Sequence, residues 1–271
     1  MELFSEQESL LESINGLRNS HREQAADEIR AHIEAAAREL SLEKFALFES
    51  SLYHAIFSLV HSDIINEKVG GVLAINELID CTSAAIEQKV IKFANTLGNT
   101  LKTAKDYNLI QMIASCLGSM ARHTTAVSHA DYVERELDRS LEWLRGGNSH
   151  RILAACALLK QFAANAPTIF SVRSKDFFEL IWRPLCERRI ELRYAAAGAL
   201  SASLRMLRSR TYHLMWYCSV YDRMLSRLND PAMETVHGSL LVVTELLRNT
   251  GAFMLPRFRE VCRTIMKLST H

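Results

Sequence analysis

The side chains that could do chemistry are plentiful in this sequence, but their spacing matches no catalytic or metal-binding motif. There are ten histidines and six cysteines, and no two of the cysteines are close enough for a C-x-x-C metal pair. Glycine-rich nucleotide loops, the H-E-x-x-H zinc motif and the G-x-S-x-G nucleophile motif are absent from the sequence. Glu134 and Asp138 have i, i+4 spacing, which on a helix is more typical of a solvated face than of an acid/base pair. We therefore predict no enzyme activity, no cofactor and no metal site.

The residues with a more promising pattern are arginines. Residues 183–210 contain seven arginines against Glu187 and Glu191, a charge of +5, whereas residues 1–50 carry −6. Arginine forms bidentate hydrogen bonds to carboxylates and phosphates, so the group is a candidate surface for an acidic partner. The candidate residues are Arg188, Arg189, Arg193, Arg205 and Arg208. The alternative is that these side chains only form surface ion pairs with the two glutamates, each worth roughly 0–1 kcal/mol.

A repeat with a period of 42 residues organises the chain around these residues. Five apolar residues follow one another at this step, namely Leu78, Met120, Phe162, Leu204 and Leu246. In four of the five units two small residues precede them in the same register, beginning with the pair Gly70 and Gly71, where close helix packing is expected. The exception is the unit with Met112 and Ile113. A period near 40 with helical patterning is typical of paired-helix repeats. The predicted fold is therefore an all-α, HEAT/armadillo-type α-α superhelical solenoid.

The repeat register predicts three segments. Residues 1–40 form irregular N-terminal capping helices, residues 41–252 form five HEAT-like helix pairs, and residues 253–271 form the first helix of a further, truncated unit. Within the array, Thr168–Arg188 is predicted to be one helix that is kinked at Pro184. Asp230 is predicted to cap a helix that begins at Pro231. The unpaired last helix suggests a piece of a longer polypeptide.

Composition limits the class of protein. The apolar content is 48% and the charged content is 23%, as in folded proteins and unlike disordered chains. The net charge of +1 gives no strong general attraction to nucleic acid. The acidic start is no signal peptide, the longest uncharged run is too short to span a bilayer, and unpaired cysteines suit a reducing compartment. We predict an intracellular protein that binds no nucleic acid and is not embedded in a membrane.

Several segments resemble the N-terminal HEAT array of the target of rapamycin (TOR) kinases. The most specific is Tyr132-Val133-Glu134-Arg135-Glu136-Leu137-Asp138-Arg139-Ser140-Leu141-Glu142-Trp143-Leu144. The other segments are Glu67–Ile75, His54–Val60, Phe93-Ala94-Asn95 and His237–Leu241, in the same order and at similar distances. The resemblance covers roughly Arg22 to Arg248, while Cys81–Lys89 and Arg208–Tyr221 diverge from the family pattern.

The resemblance implies a non-catalytic scaffold that mediates protein–protein assembly of a TOR signalling complex, since the family's kinase domain lies near the far C-terminus. The implied partners are a Raptor-like subunit, a small GTPase of the Rheb type, or the rest of a TOR chain. The implied location is the cytoplasm, with recruitment to lysosomal, vacuolar or other endomembranes through complex partners. The alternative is a free-standing HEAT-repeat adaptor, such as a transport receptor or a phosphatase scaffold fragment.

Overall fold

The computed structural model describes residues 12–19, 21–122 and 127–268. Within these ranges it contains a short helical segment at residues 12–16, 14 further α-helices and one short 3-10 helix, and no β-strand. The helices pack on neighbours along the chain, which confirms the predicted all-α fold of stacked helices. The chain divides into two compact units, Met1–Tyr132 and Val133–His271.

The first unit is built from two rows of helices. Its helices are α1 (Arg22–Glu39), α2 (Leu42–His61), α3 (Ile65–Leu78), α4 (Ile86–Thr103) and α5 (Tyr107–Arg122). Helices α1, α3 and α5 pack on one another in that order, and α2 packs on α4. The contacts of α2 with α3, and of α4 with α5, join the two rows. Each pair therefore contributes its first helix to one row and its second helix to the other.

The division between the units falls within α6 (Val127–Arg145), and the second unit continues from there. Its further helices are α7 (Ser149–Asn165), α8 (Pro167–Val172), α9 (Ser174–Leu180), α10 (Trp182–Leu185), α11 (Ile190–Leu207), α12 (His213–Arg227), α13 (Met233–Asn249) and α14 (Phe258–Leu268). A 3-10 turn, Gly251–Phe253, separates the last two helices. Helices α7, α11 and α13 form a row of second helices, against which α8, α10 and α12 pack.

The segment predicted as one kinked helix, Thr168–Arg188, is instead divided among the three short helices α8, α9 and α10. The breaks fall at Arg173 and Ile181. Pro184 lies in the first turn of α10, where its missing N–H has no intrahelical partner to lose. The short helices allow Phe170, Phe177 and Phe178 to meet edge to face, and all three are buried. Tertiary packing of these rings therefore replaces the continuous helix that local pattern predicts.

The helix predicted to begin at Pro231 begins two residues later, at Met233, with Ala232 as its N-cap. The carboxylate of Asp230 accepts a hydrogen bond of 2.9 Å from the backbone N–H of Ala232. Such a contact closes an Asx turn rather than capping a helix. The turn therefore precedes the helix that the Asp-Pro pair was expected to start.

The residues of the 42-residue register lie in the core. Leu78, Met120, Phe162, Leu204 and Leu246 are all at most 1% exposed. Gly70 and Gly71 are also buried, the first against the backbone of Leu17 and the second against Val60 of α2. The periodic apolar residues of the second helices therefore occupy the same kind of buried position in both units.

Candidate functional site

A cluster of cationic side chains surrounds a cavity in the second unit, on the row of second helices. The cavity is a groove of about 520 Å³ that crosses α7, α11 and α13. Its walls carry four basic side chains, which are Lys160, Arg205, Arg208 and Arg248. Arg205 and Arg248 lie in the last turns of α11 and α13, Arg208 is the C-cap residue of α11, and Lys160 lies five residues before the end of α7. The three helices therefore run in the same direction beneath the groove. We call this site the basic groove.

A polar network fixes the side of the groove formed by α13. The carboxylate of Glu245, which is 8% exposed, accepts hydrogen bonds of 3.1 Å from Arg248 and from the amide of Asn249. The same Asn249 amide donates to the hydroxyl of Ser201 in α11 over 3.0 Å. The network therefore ties α13 to α11 and neutralises the one carboxylate that lines the groove.

The remaining cations of the groove are not neutralised. Lys160, Arg205 and Arg208 are exposed. In the part of the chain that the structure describes, no carboxylate pairs with any of the three. The stem of Lys160 passes over Gly198, where an added Cβ would be 3.8 Å from its Cδ. These side chains are therefore available to an anionic ligand.

The structure separates the five arginines that sequence grouped together. Arg193 is only 8% exposed and does not face solvent. Its guanidinium donates to the backbone carbonyls of Glu187 and Arg188, and its Nε donates to Nδ1 of His237 over 2.9 Å. Arg193 therefore links α13 to the segment that connects α10 with α11, which is a structural role.

Arg188 and Arg189 lie elsewhere, at the exposed connection that precedes α11. Arg189 forms an ion pair with Glu191 at 3.8 Å, in which both side chains are about half exposed. Such pairs contribute little to stability. Of the predicted residues, only Arg205 and Arg208 line the basic groove.

Sequence reasoning missed Lys160 and Arg248 as members of the same site. The signal was present, since Lys160, Arg205 and Arg248 lie within two residues of the register positions Phe162, Leu204 and Leu246. Equivalent positions on stacked helices are neighbours in space. Charges near the same register position in consecutive second helices therefore predict a shared surface.

A second polar cluster, in the first unit, was also missed. Lys89 of α4 is 3% exposed, and its Nζ donates to the carbonyls of Leu78, Ile79 and Cys81 at 3.0, 3.1 and 2.6 Å. Burial lowers the pKa of Lys89, while the nearby Cys81 and Glu49 act in the opposite direction. A cation at the C-terminal end of a helix satisfies its last carbonyls, so this lysine caps α3.

Among the described residues, no group of three His, Cys, Asp or Glu side chains is placed to hold a metal ion. Cys116 and Cys156 are buried in the core, and burial raises the pKa of Cys156 to about 12. In those same described ranges, no helix combines the length and apolar character needed to cross a membrane.

Comparison with known proteins finds relatives over nearly the whole chain. No family model matches the chain. The serine/threonine-protein kinase TOR of Oryza sativa is 36% identical over 247 residues, covering 90% of this chain and 10% of the relative. The kinase TOR of Arabidopsis thaliana is 33% identical over 258 residues, 94% of this chain and 10% of the relative. The kinase tor1 of Schizosaccharomyces pombe is 31% identical over 276 residues, 100% of this chain and 11% of the relative.

These matches confirm the resemblance inferred from the residues. The chain spans about a tenth of the length of the curated relatives it matches. It is therefore related, over nearly its whole length, to a stretch of the TOR serine/threonine-protein kinases that makes up about a tenth of their length.

Proposed function

We propose that this chain is a non-catalytic scaffold segment of a TOR-type kinase, which contributes protein–protein contacts to a TOR signalling complex. The observation that carries the proposal is the match of nearly the whole chain to only a tenth of several TOR kinases. A stack of helix pairs offers extended surfaces for other proteins instead of an enclosed catalytic pocket.

The repeat register supports the same role. We infer that residues 41–252 act as one array of five helix pairs, flanked by the capping helices of residues 1–40 and by residues 253–271. The rows of second helices are continuous within each unit, through α1, α3 and α5 and through α7, α11 and α13. Rows of this kind present side chains from several helices to one partner.

The partners that this role implies are a Raptor-like subunit, a Rheb-type small GTPase, or other parts of a TOR chain. A cytoplasmic location, with recruitment to endomembranes by those partners, accompanies the proposal. The similarity to TOR kinases favours this role over a free-standing transport or phosphatase adaptor.

The test is direct binding between purified proteins. The 271-residue chain is immobilised and exposed to a purified Raptor-type subunit and, separately, to a Rheb-type GTPase. Saturable binding of at least one protein, with a Kd in the micromolar range or tighter, is the expected result. The chain must show the helical circular dichroism spectrum of the folded state. Absence of binding to both proteins, and to the remainder of a TOR chain offered in the same way, would then reject the scaffold proposal.

A matched pair of variants tells where such a partner binds. Arg188→Glu/Arg189→Glu reverses the exposed charges before α11, and Arg205→Glu/Arg208→Glu reverses charges in the basic groove. Arg193 is left unchanged, because its buried hydrogen bonds make a reversal disruptive to the fold. A partner that uses the groove loses affinity only with the second variant.

A further inference from the structure

The basic groove carries more positive charge than is needed to balance the negative ends of its own helices and Glu245. Cations near helix C-termini complement the helix macrodipole, whose C-terminal end carries about −0.5 of an elementary charge. Three such ends and Glu245 give about −2.5 in total, whereas the groove contains four cations. An excess of about +1.5 therefore remains, and it faces solvent on Lys160, Arg205 and Arg208.

The width of the groove sets the length of an anionic ligand that can fill it. Packed helices lie about 8–10 Å apart, so the axes of α7 and α13 are separated by about 16–20 Å across α11. A ligand that contacts all three helices is therefore longer than one phosphate or one carboxylate. An extended peptide advances about 3.3 Å per residue, so about six residues span the groove.

The groove also has the chemistry expected for carboxylates. Arg205 and Arg208 provide planar guanidinium groups, which bind carboxylates through paired hydrogen bonds. Gly198 leaves space between them and Lys160, since no atom lies closer than 3.8 Å to the place of its missing Cβ. The Ser201–Asn249 hydrogen bond supplies a polar floor of fixed geometry.

From these observations we propose that the basic groove of α7, α11 and α13 binds an acidic, extended segment of about six residues from a protein partner. The segment lies across the three helices and places its carboxylates against Lys160, Arg205 and Arg208. The inference rests on the proposed function as a protein-binding scaffold and identifies the chemistry of one partner. It requires no change in the fold.

The test uses the 271-residue chain and a fluorescein-labelled peptide of about six glutamates, the length that spans the groove, with binding followed by fluorescence anisotropy. The groove variant is Lys160→Gln/Arg205→Gln/Arg208→Gln. The matched control is Arg151→Gln/Arg188→Gln/Arg189→Gln, which removes the same charge from exposed positions outside the groove. A peptide of glutamines with the same label measures binding by the dye and the backbone.

We expect the groove variant to lose about tenfold in affinity, because each exposed charge pair contributes a factor of about 1.4 to 5. The control variant should lose less than about twofold. Binding of the glutamate peptide should weaken with added salt, as expected for exposed charges. Equal losses in the two variants would mean general charge attraction and would overturn the proposal.

Two competing ligands are tested in the same assay. Inorganic phosphate that displaces the peptide at similar concentrations would mean a small-anion site, and stronger groove-dependent binding to phosphatidylserine vesicles would mean a membrane surface. Either result overturns the peptide proposal. If the groove variant still binds the Raptor-type subunit or the GTPase normally, while the glutamate peptide does not bind, the scaffold role stands and only this inference fails.

Discussion

The backbone of Gly238 in α13 lies directly against the carbonyl group of Leu185 at the end of α10. A Cβ at residue 238 would be 2.8 Å from the carbonyl carbon of Leu185 and would overlap its oxygen. The same contact occurs in the first unit, where a Cβ at Gly70 would be 2.9 Å from the carbonyl carbon of Leu17. Both residues of the second pair come 168 positions after those of the first, which is four periods of 42. The repeat therefore reproduces an atomic contact as well as a hydrophobic pattern.

This contact predicts opposite effects for two glycines of the second unit. Gly238→Ala should lower the free energy of unfolding by about 1–3 kcal/mol, because its methyl group meets backbone that cannot rotate away. Gly198→Ala should raise it by up to about 1 kcal/mol, since alanine favours the helix and the site has space. Urea denaturation followed by circular dichroism measures both changes. Equal stability of the two variants would contradict the close contact at Gly238.

Gly71 makes a different close contact, with α2. A Cβ at residue 71 would be 2.6 Å from Cγ2 of Val60, 3.0 Å from the Val60 nitrogen and 3.2 Å from the Ile56 carbonyl oxygen. Gly71→Leu should therefore overpack the interface and cost on the order of 1–3 kcal/mol. Thermal melts compare it with Ser51→Leu, which places the same side chain on an exposed position of α2 and should change stability by less than about 0.5 kcal/mol. A silent Gly71→Leu would argue against the packing of α3 on α2.

Substitution of Lys89 should lower the free energy of unfolding, unlike substitution of a surface lysine. Lys89→Met keeps much of the aliphatic side chain but leaves the carbonyls of Leu78, Ile79 and Cys81 without their cation. The expected loss is about 1–3 kcal/mol, the cost of unsatisfied buried polar groups. The control is Lys92→Met, at an exposed position of the same helix. Two equally stable variants in urea denaturation would show that the cap contributes nothing.

His237 predicts a pH dependence of stability. Burial and then the charge of Arg193 lower the pKa of His237 below its ordinary value, so the folded state favours the neutral ring that accepts the hydrogen bond. As the pH falls through about 6.5, the unfolded chain takes up this proton first, and the folded state loses stability. The loss continues down to the folded-state pKa and should be measurable as a falling Tm.

The matched substitution for this prediction is His237→Asn, whose side-chain oxygen can accept from Arg193 without titrating. The Tm of this variant should fall less between about pH 7 and pH 5 than that of the parent chain. The exposed His54→Asn should leave the original pH dependence unchanged. Parallel curves for all three proteins would exclude His237 as the source.

The fold class and the repeat follow from the amino-acid sequence alone. Apolar and small residues recur every 42 residues, and hydrophobicity and size are properties of the residue itself. Leu78, Phe162 and Leu246 were therefore predictable as core positions. The close contact at Gly70 was expected for the same reason, because glycine inside a helix costs about 0.5–1 kcal/mol relative to alanine and suggests a packing need. The relation to TOR kinases was likewise visible in segments that match those kinases in the same order along the chain.

The division of the arginines between buried and exposed positions depends on the tertiary structure. Arg193 and Arg205 have the same side chain on the same helix, yet one is buried and bonded to the carbonyls of Glu187 and Arg188 while the other lines the basic groove. Which carbonyls lack partners, and which charges from α7 and α13 arrive beside α11, depends on the lateral placement of helices about 40 residues apart in sequence. Local pattern contains no information on that placement, because it arises from packing of the helices against one another.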